Sequence, residues 1–567
     1  MVTISKKIEM IDKVKKFIKK NNIDGYIFPK NDIYFTEYSK INNLVKLTNF
    51  SGSAGFALIL KNKNYLFVDG RYTLQAKKES GKKFTIYEIP YLFPKNLKEV
   101  KNIKIGFDPN LFTEITLEKY FGSHVKLIPL IYDFKIKDLK INEKFYQLDK
   151  HISGETTISK KKKIIKILNK RKINYLYISS SENLCWLLNI RGKDLPNSPL
   201  ANCKAIFTDK GKLYFFSNLS KILKIKKKFI KKIDFFDEKS FFKVITKLKK
   251  GNFCVDKSTC SIFEQNLIAS SFKILSIEDP IYLLKSIKNN TEISNMIKSH
   301  VIDGVALTKF LYWFKNKMIF ANEKKIEKKL EDFRKKSNSY LYPSFDTIAG
   351  SGPNSAIIHY RSNNLTNRKL KKNDILLIDS GGQYKWGTTD VTRTICNGKI
   401  SLKIKNNFTR VLKGHISVAT CDLKKNYNGH LIDKLARKSL NQIGLNYSHG
   451  TGHGVGFFLN VHEGPQALSR NNKITLKEGM ILSNEPGYYL SNNYGIRIEN
   501  LVFINKVKDD LKFENFTLAP IDIDMINFKM LNRKERKYLF DYHLDVYNKI
   551  SSFLNKSEKK WLAKLIK

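Results

Sequence analysis

Residues 374–395 read DILLIDSGGQYKWGTTDVTRTI, and residues 479–504 repeat their design as GMILSNEPGYYLSNNYGIRIENLVFI. In the first stretch the apolar run 375–378 ends on Asp379 and is followed by Ser380-Gly381-Gly382, so Asp379 belongs where a buried strand meets a turn. QYKWGTT supplies a reversal and DVTRTI resumes β-branched alternation, which lets Asp390 face Asp379 across a hairpin. In the second stretch Glu485 follows another apolar run and Glu499 falls in another alternating strand. Aligning DILLIDSGGQ with MILSNEPGYY sets Asp379 over Glu485, and DVTRTI with ENLVFI sets Asp390 over Glu499. The pattern is that of two related half-domains, each giving one carboxylate pair to a shared site.

Between the pairs lies HGTGHGVGFFLNVHEGP (449–465), which holds His449, His453 and His462, and His359 lies near the end of GPNSAIIHY upstream. Glycines on both sides of His453 let the backbone approach a ligand closely. One acid alone would read as a hairpin or N-cap residue. Asp379, Asp390, His453, Glu485 and Glu499 together can hold two metal ions, because carboxylates buried beside apolar strands require a compensating cation or a large rise in pKa. Oxygen donors with one imidazole suit Mn²⁺ and similar cations, whereas a structural zinc site recruits thiolates. The chemistry expected is metal-assisted hydrolysis.

GPNSAIIHYR, LIDSGGQYKWGTTDVTRT, HGTGHGVGFFLNVHEGP, NEPGYY and GIRIEN resemble the motifs of aminopeptidase P, the Xaa-Pro aminopeptidase of the pita-bread metallopeptidases. The resemblance extends upstream to SGSAGFALI, VDGRYTLQA and CWLLNIRG and downstream to YLFDYHL, and is closest to the long three-domain cytosolic form. It implies a mixed α/β and α+β chain: two creatinase-like N-terminal α/β domains followed by a C-terminal pita-bread catalytic domain. It further implies that Asp379 binds one metal, that His453 and Glu485 bind the other, and that Asp390 and Glu499 bridge them. His359, His449, His462, Arg497 and Tyr489 are placed by it around the substrate, a peptide with proline second, and it implies a homodimer.

From those ions a mechanism follows as an expectation. Two divalent cations, Mn²⁺ first with Co²⁺ and Zn²⁺ accepted by the same donors, would supply a bridging hydroxide to attack the Xaa-Pro carbonyl. Glu485 would accept the water's proton and return it to the proline nitrogen, while His462 and His359 donate to the carbonyl oxygen as it gains charge.

At 567 residues, 42% apolar, the chain is long enough for three domains with their own cores. KNNIDGYIFPKND resembles KRKINYLYISSSE 150 residues on, and FALILKNKNYLFV resembles KAIFTDKGKLYFF 148 residues on, so the N-terminal half reads as two copies of one unit. Each begins with an amphipathic helix, the first carrying Ile11, Val14, Phe17 and Ile18 on one face. The expected domains are 1–150, 151–284 and 285–567, the last opening on a helix from Ile293 to Phe314 in which Gly304 suggests close packing. The basic run at 160–163 reads as a solvated helix face.

A formal net charge of +51 invites a nucleic-acid reading, but the cations are 90 lysines spread along the chain against 13 arginines. Groove readers lean on arginine's fork and on localised patches, so no specific nucleic-acid partner is expected. Six cysteines without a CxxC read as buried thiols of a reducing compartment. With no signal-peptide core and no run of 18 apolar residues, a soluble cytoplasmic protein without membrane partners is expected. SGSAG at 51–55 lacks a following GK[ST] and reads as a turn entering a strand. Two rivals remain at this level: a prolidase restricted to dipeptides, and a non-catalytic peptide binder on the same scaffold, which would be expected to lack metal ligands.

Overall fold

Spacing of Ile11, Val14 and Ile18 gives the helix Ile4–Lys20 (α1) one apolar edge, and these three side chains are buried against the strand that follows. The computed structural model describes residues 4–37, 39, 42–134, 143–229, 233–317, 321–364 and 366–566. It divides into two units, one of Met1–Asp149 with Glu155–Tyr282 and one of Lys150–Gly154 with Leu283–Lys567.

The first unit holds two six-stranded sheets. Strands β1 (Gly25–Pro29), β2 (Phe56–Leu60), β3 (Asn64–Asp69), β4 (Thr85–Ile89), β5 (Lys104–Phe107) and β6 (Lys126–Pro129) lie in the order β4-β3-β2-β1-β5-β6. Strands β7 (Tyr175–Ile178), β8 (Lys204–Thr208), β9 (Leu213–Phe216), β10 (Ile233–Phe236), β11 (Asn252–Val255) and β12 (Lys273–Ser276) lie in the order β10-β9-β8-β7-β11-β12. Strand directions match as well: the central hairpins are antiparallel and the outer neighbours parallel in both. The internal similarity of the sequence is therefore a repeat of topology. SGSAG leads into β2, as a turn entering a strand.

One expectation about this unit is corrected. Of the basic run 160–163 in the helix Thr157–Lys170 (α2), Lys162 and Lys163 face solvent, while Lys160 and Lys161 are buried. Lys160 donates to Trp186 O (2.9 Å) and Asn189 Oδ1 (2.7 Å), with its ammonium 4.2 Å from the Trp186 ring. Its charge is used to satisfy acceptors at the end of the helix Ser181–Leu188, whose C-cap Asn189 is left-handed.

The second unit opens on α3 (Asn290–Lys317), longer at both ends than the sequence spacing predicts. A Cβ on Gly304 would lie 2.7 Å from Leu518 O, which is why glycine stands there. Strands β13 (Ile348–Ser351), β14 (Ile375–Ser380) and β15 (Val391–Cys396) form one antiparallel sheet. A second sheet has β16 (Gly452–Gly454), β17 (Glu463–Leu468), β18 (Ile481–Asn484), β19 (Asn500–Val507) and β20 (Asp510–Asn515) in the order β17-β16-β18-β19-β20. Glu499 N donates to Thr392 O (3.1 Å), and Arg497 and Thr394 exchange two bonds of 3.0 Å, so the two sheets meet along β15. Helices Leu402–Ala419, Gly429–Asn441 and Arg533–Ile550 bring Phe408, Leu412, Leu440, Leu539 and Val546 into the buried core.

Register refines the hairpin expected at 374–395. Asp379 pairs with Thr392 and Ser380 with Val391, so Asp390 is a diagonal neighbour of Asp379 rather than its direct partner. Residues 382–388 form a small hairpin of their own that pairs with Tyr340–Pro343. All six cysteines are free thiols, five buried and Cys421 half-buried. Among the described residues no helix is long and apolar enough to cross a membrane.

Candidate metal centre

Asp390 stands just before β15, Glu499 just before β19, Glu485 just after β18, and Asp379 is the penultimate residue of β14. Each acid is thus delivered by the end of a buried strand, and the strand pairs β14/β15 and β18/β19 supply two apiece. His453 comes from the centre of β16, where a Cβ on Gly452 would meet Ser483 O at 1.9 Å. Only glycine lets β16 lie this close to β18.

Asp390, His453 and Glu499 each offer a ligand atom within 4.8 Å of the others. His453 Nε2 lies 3.4 Å from Asp390 Oδ2 and 3.7 Å from Glu485 Oε1. Its Nδ1 is 2.9 Å from Gly454 O, an arrangement that keeps the proton on Nδ1 and makes Nε2, on the side of the acids, the ligating nitrogen. Ser483 steadies this corner, its hydroxyl accepting from His453 N (2.9 Å) and donating to Glu485 Oε1 (3.3 Å). Asp379 is tied instead to Arg497, whose Nη2 donates to Asp379 Oδ2 over 2.6 Å.

Crowding of these acids has an electrostatic signature. Burial, and then the charge of Asp379, hold Asp390 well above the usual carboxylate range. Burial followed by Asp390 does the same to Glu499, and burial raises Glu485 despite the opposing charges of His453 and Arg497. Asp379 Oδ1 and Glu499 Oε1 are buried acceptors with no hydrogen-bond partner. Leaving such atoms unpaired costs free energy, and divalent cations would satisfy both while relieving the repulsion. The residues therefore fit a pair of hard or borderline divalent ions.

A relay of polar groups borders the acids. His449 Nδ1 donates to Gly450 O (2.8 Å), so its Nε2 accepts from the Tyr489 hydroxyl (2.8 Å), which in turn accepts from Arg497 Nη1 (2.7 Å). His462 packs edge-on against His453 with ring centroids 4.3 Å apart. His359 is half-buried and follows Ile358, whose carbonyl accepts from Arg497 Nη2 (3.4 Å). The structure thus gathers nine of the ten residues singled out in the sequence around the same strand ends, joined through Arg497, His453 and their neighbours, and His359 follows in the chain a residue bonded to Arg497.

Three contributors escaped the sequence reading. Thr392 Oγ1 donates to Glu499 Oε2 (2.8 Å) and accepts from Arg497 Nε (3.1 Å); its period-two spacing from Asp390 was the available signal. Arg437 holds the His449 segment through Tyr447 O (2.8 Å) and His449 O (2.6 Å), and Glu323 anchors the His359 segment. Arg437 lies on the preceding helix, 10 and 12 residues before its acceptors, and Glu323 lies 28 and 45 residues before its donors; no local pattern marks either.

Comparison with known proteins agrees with this geometry. Residues 294–506 match the metallopeptidase family M24 model and 510–567 its C-terminal region, while 10–130 and 138–292 each match a creatinase/prolidase N-terminal domain. The chain is 33% identical to Xaa-Pro aminopeptidase 1 of Dictyostelium discoideum, covering 100% of this chain and 97% of that protein. It is 32% identical to a "Probable Xaa-Pro aminopeptidase P" of Laccaria bicolor, covering 98% and 92%. The crystal structure of an X-prolyl aminopeptidase from Caenorhabditis elegans, described as a cytosolic enzyme with a di-nuclear active site, superposes with a TM-score of 0.91 at 27% identity over 99% of both chains. A prolidase from Pyrococcus furiosus, 24% identical, shares the fold over 62% of this chain with a TM-score of 0.51.

Proposed function

We infer the reaction in detail from the family: the chain belongs to the aminopeptidase P group of the M24 metallopeptidases and is an Xaa-Pro aminopeptidase. The proposed reaction is release of the N-terminal residue from peptides with proline in second place. The observation that carries it is the meeting of Asp390, His453 and Glu499 within 4.8 Å, flanked by Asp379 and Glu485.

Asp379 would hold one cation, His453 and Glu485 the other, and Asp390 and Glu499 would be shared. When bound, the two ions would acidify the attacking water and polarise the scissile carbonyl. Glu485, half-buried and steadied by Ser483, takes the proton of the attacking water and passes it to the proline nitrogen as the C–N bond breaks. His462 and His359 donate to the carbonyl oxygen as negative charge develops on it. His449, Tyr489 and Arg497 form one rigid chain that orients the peptide. Mn²⁺ is the proposed metal, since oxygen donors dominate the set.

Division into domains 1–150, 151–284 and 285–567, a homodimer and a cytoplasmic location complete the proposal; the location is supported by the cytosolic description of the Caenorhabditis elegans enzyme. The deciding experiment is hydrolysis of Arg-Pro-Pro and Arg-Ala-Pro with and without added Mn²⁺. Arginine released from the first alone, stimulated by metal and abolished by Glu485→Gln or His453→Ala, supports the reading. Cleavage restricted to an Xaa-Pro dipeptide would make the protein a prolidase, and lack of any metal response would favour the binding protein.

A further inference from the structure

The carboxylate of Glu323 is fully buried and collects donors from across residues 351–368. Oε1 accepts from Ser351 N (2.8 Å), Ser351 Oγ (2.9 Å) and Asn354 Nδ2 (3.0 Å). Oε2 accepts from the Tyr360 hydroxyl (2.7 Å) and Arg368 N (2.8 Å). Glu323 N donates to Arg368 O (3.1 Å), which closes the segment into a loop on the first turn of the helix Glu323–Arg334. A carboxylate is favoured there by the helix dipole. The far side of the loop rests on the active-site wall, where Gly495 N donates to Ser355 Oγ (2.7 Å) and Arg497 reaches Ile358 O.

His359 sits between Ile358 and Tyr360, flanked by one residue bonded to Arg497 and one bonded to Glu323. We propose that Glu323 is a positioning residue for His359, its carboxylate fixing the loop so that the imidazole is presented to the substrate carbonyl. This rests on the role given to His359 above. Ser351, Asn354, Tyr360 and two backbone amides all bring a donor to that point, and a carboxylate has lone pairs on both oxygens for them where an amide has a donor in place of one.

The test uses the full-length, metal-loaded enzyme on Arg-Pro-Pro, with Glu323→Gln, His359→Ala and the double variant. Glu323→Gln is expected to lower kcat about 10- to 50-fold with KM within about 3-fold, because the contact it supports tightens in the transition state. Amide exchange at residues 352–361 should quicken while bound metal per subunit stays unchanged. In the His359→Ala background the same change should cost less than about 2-fold, since the residue it acts through is gone. Tyr360→Phe, which removes one donor only, should show a smaller loss that His359→Ala likewise absorbs; it serves if Glu323→Gln does not fold. Multiplicative losses in the double variants would overturn the positioning role and leave the proposed function standing. Full activity of His359→Ala would remove the role of His359 and this inference with it.

Discussion

Arg497 and Asp379 form a buried ion pair, Nη2 to Oδ2 at 2.6 Å, on the wall of the acidic cluster. The pair occupies one carboxylate oxygen and leaves Oδ1 without a partner, so it aims Asp379 at a cation as well as neutralising it. Arg497 also holds Tyr489, Thr392 and Ile358 O, and only a guanidinium, with five N–H donors in a fixed fork, serves four such acceptors at once. Arg497→Lys is expected to lower kcat/KM about 10- to 100-fold and to weaken metal binding, measured by peptide hydrolysis and by titration of the stripped protein with Mn²⁺.

Repulsion among Asp379, Asp390, Glu485 and Glu499 makes the centre a burden to the fold when it lacks cations. Treatment with a chelator should lower the melting temperature by several degrees, and added Mn²⁺ should restore it in proportion to the logarithm of its concentration. In Glu499→Gln, which removes one charge from the cluster, the drop on chelation should be smaller while activity is lost.

Arg334 and Asp303 form a second buried pair (2.7 Å), with the Tyr384 hydroxyl donating to Asp303 and Arg334 donating to Ser380 beside Asp379. Arg334→Met leaves the Asp303 carboxylate buried without its counter-charge. Destabilisation of about 3–5 kcal/mol is expected in urea unfolding.

His300 and His543 are buried, and burial pushes both down to about 4. Their unfolded forms take up a proton more readily than the folded ones, so stability present above the ordinary value near 6.5 is lost as pH falls from there toward 4. Each should contribute on the order of 1 kcal/mol per pH unit in that window. Unfolding curves between pH 7.5 and 5 should flatten in His300→Gln and His543→Gln relative to the parent.

Glu327 has the opposite sense. Burial raises it to about 7, with the Ser362 hydroxyl (2.8 Å) working against the shift. Its folded form holds a proton that the unfolded form has released, so it weakens the fold as pH rises from about 4.5 through 7. Glu327→Gln should raise the melting temperature at pH 8 and change it little at pH 4.5.

Gly304 tests packing on α3. Leu518 O would lie 2.7 Å, and Leu518 Cβ 2.9 Å, from an added methyl, and backbone cannot give way as a flexible side chain does. Gly304→Ala is expected to cost about 1–3 kcal/mol, read from chemical denaturation.

Much of this protein was legible in the chain because the relevant signals are local. Asp379 and Glu485 end apolar runs, Asp390 and Glu499 begin alternating ones, and glycine brackets His453, so residue type and strand period together pointed to the residues of the acidic cluster. The duplicated N-terminal half was visible for the same reason, as two helix-strand-hairpin patterns at a near-constant offset. Lys160 was misread because a run of lysines carries no record of which members face a neighbouring helix, and Trp186 and Asn189 supply that only once folded.

By itself the sequence determined the element types, the repeated topology and the identity of the acids and histidines, since these follow from hydrophobic period and side-chain chemistry along the backbone. Tertiary structure alone decided that Arg497 joins Asp379 to Tyr489, that Thr392 bonds Glu499, and that Glu323 gathers both ends of the His359 loop. Apart from the reach of Arg497 to Tyr489, 8 residues back, these bonds span from 28 to 118 residues of chain. Contacts at such separation depend on how whole sheets and helices pack, and no window of neighbouring residues encodes their geometry.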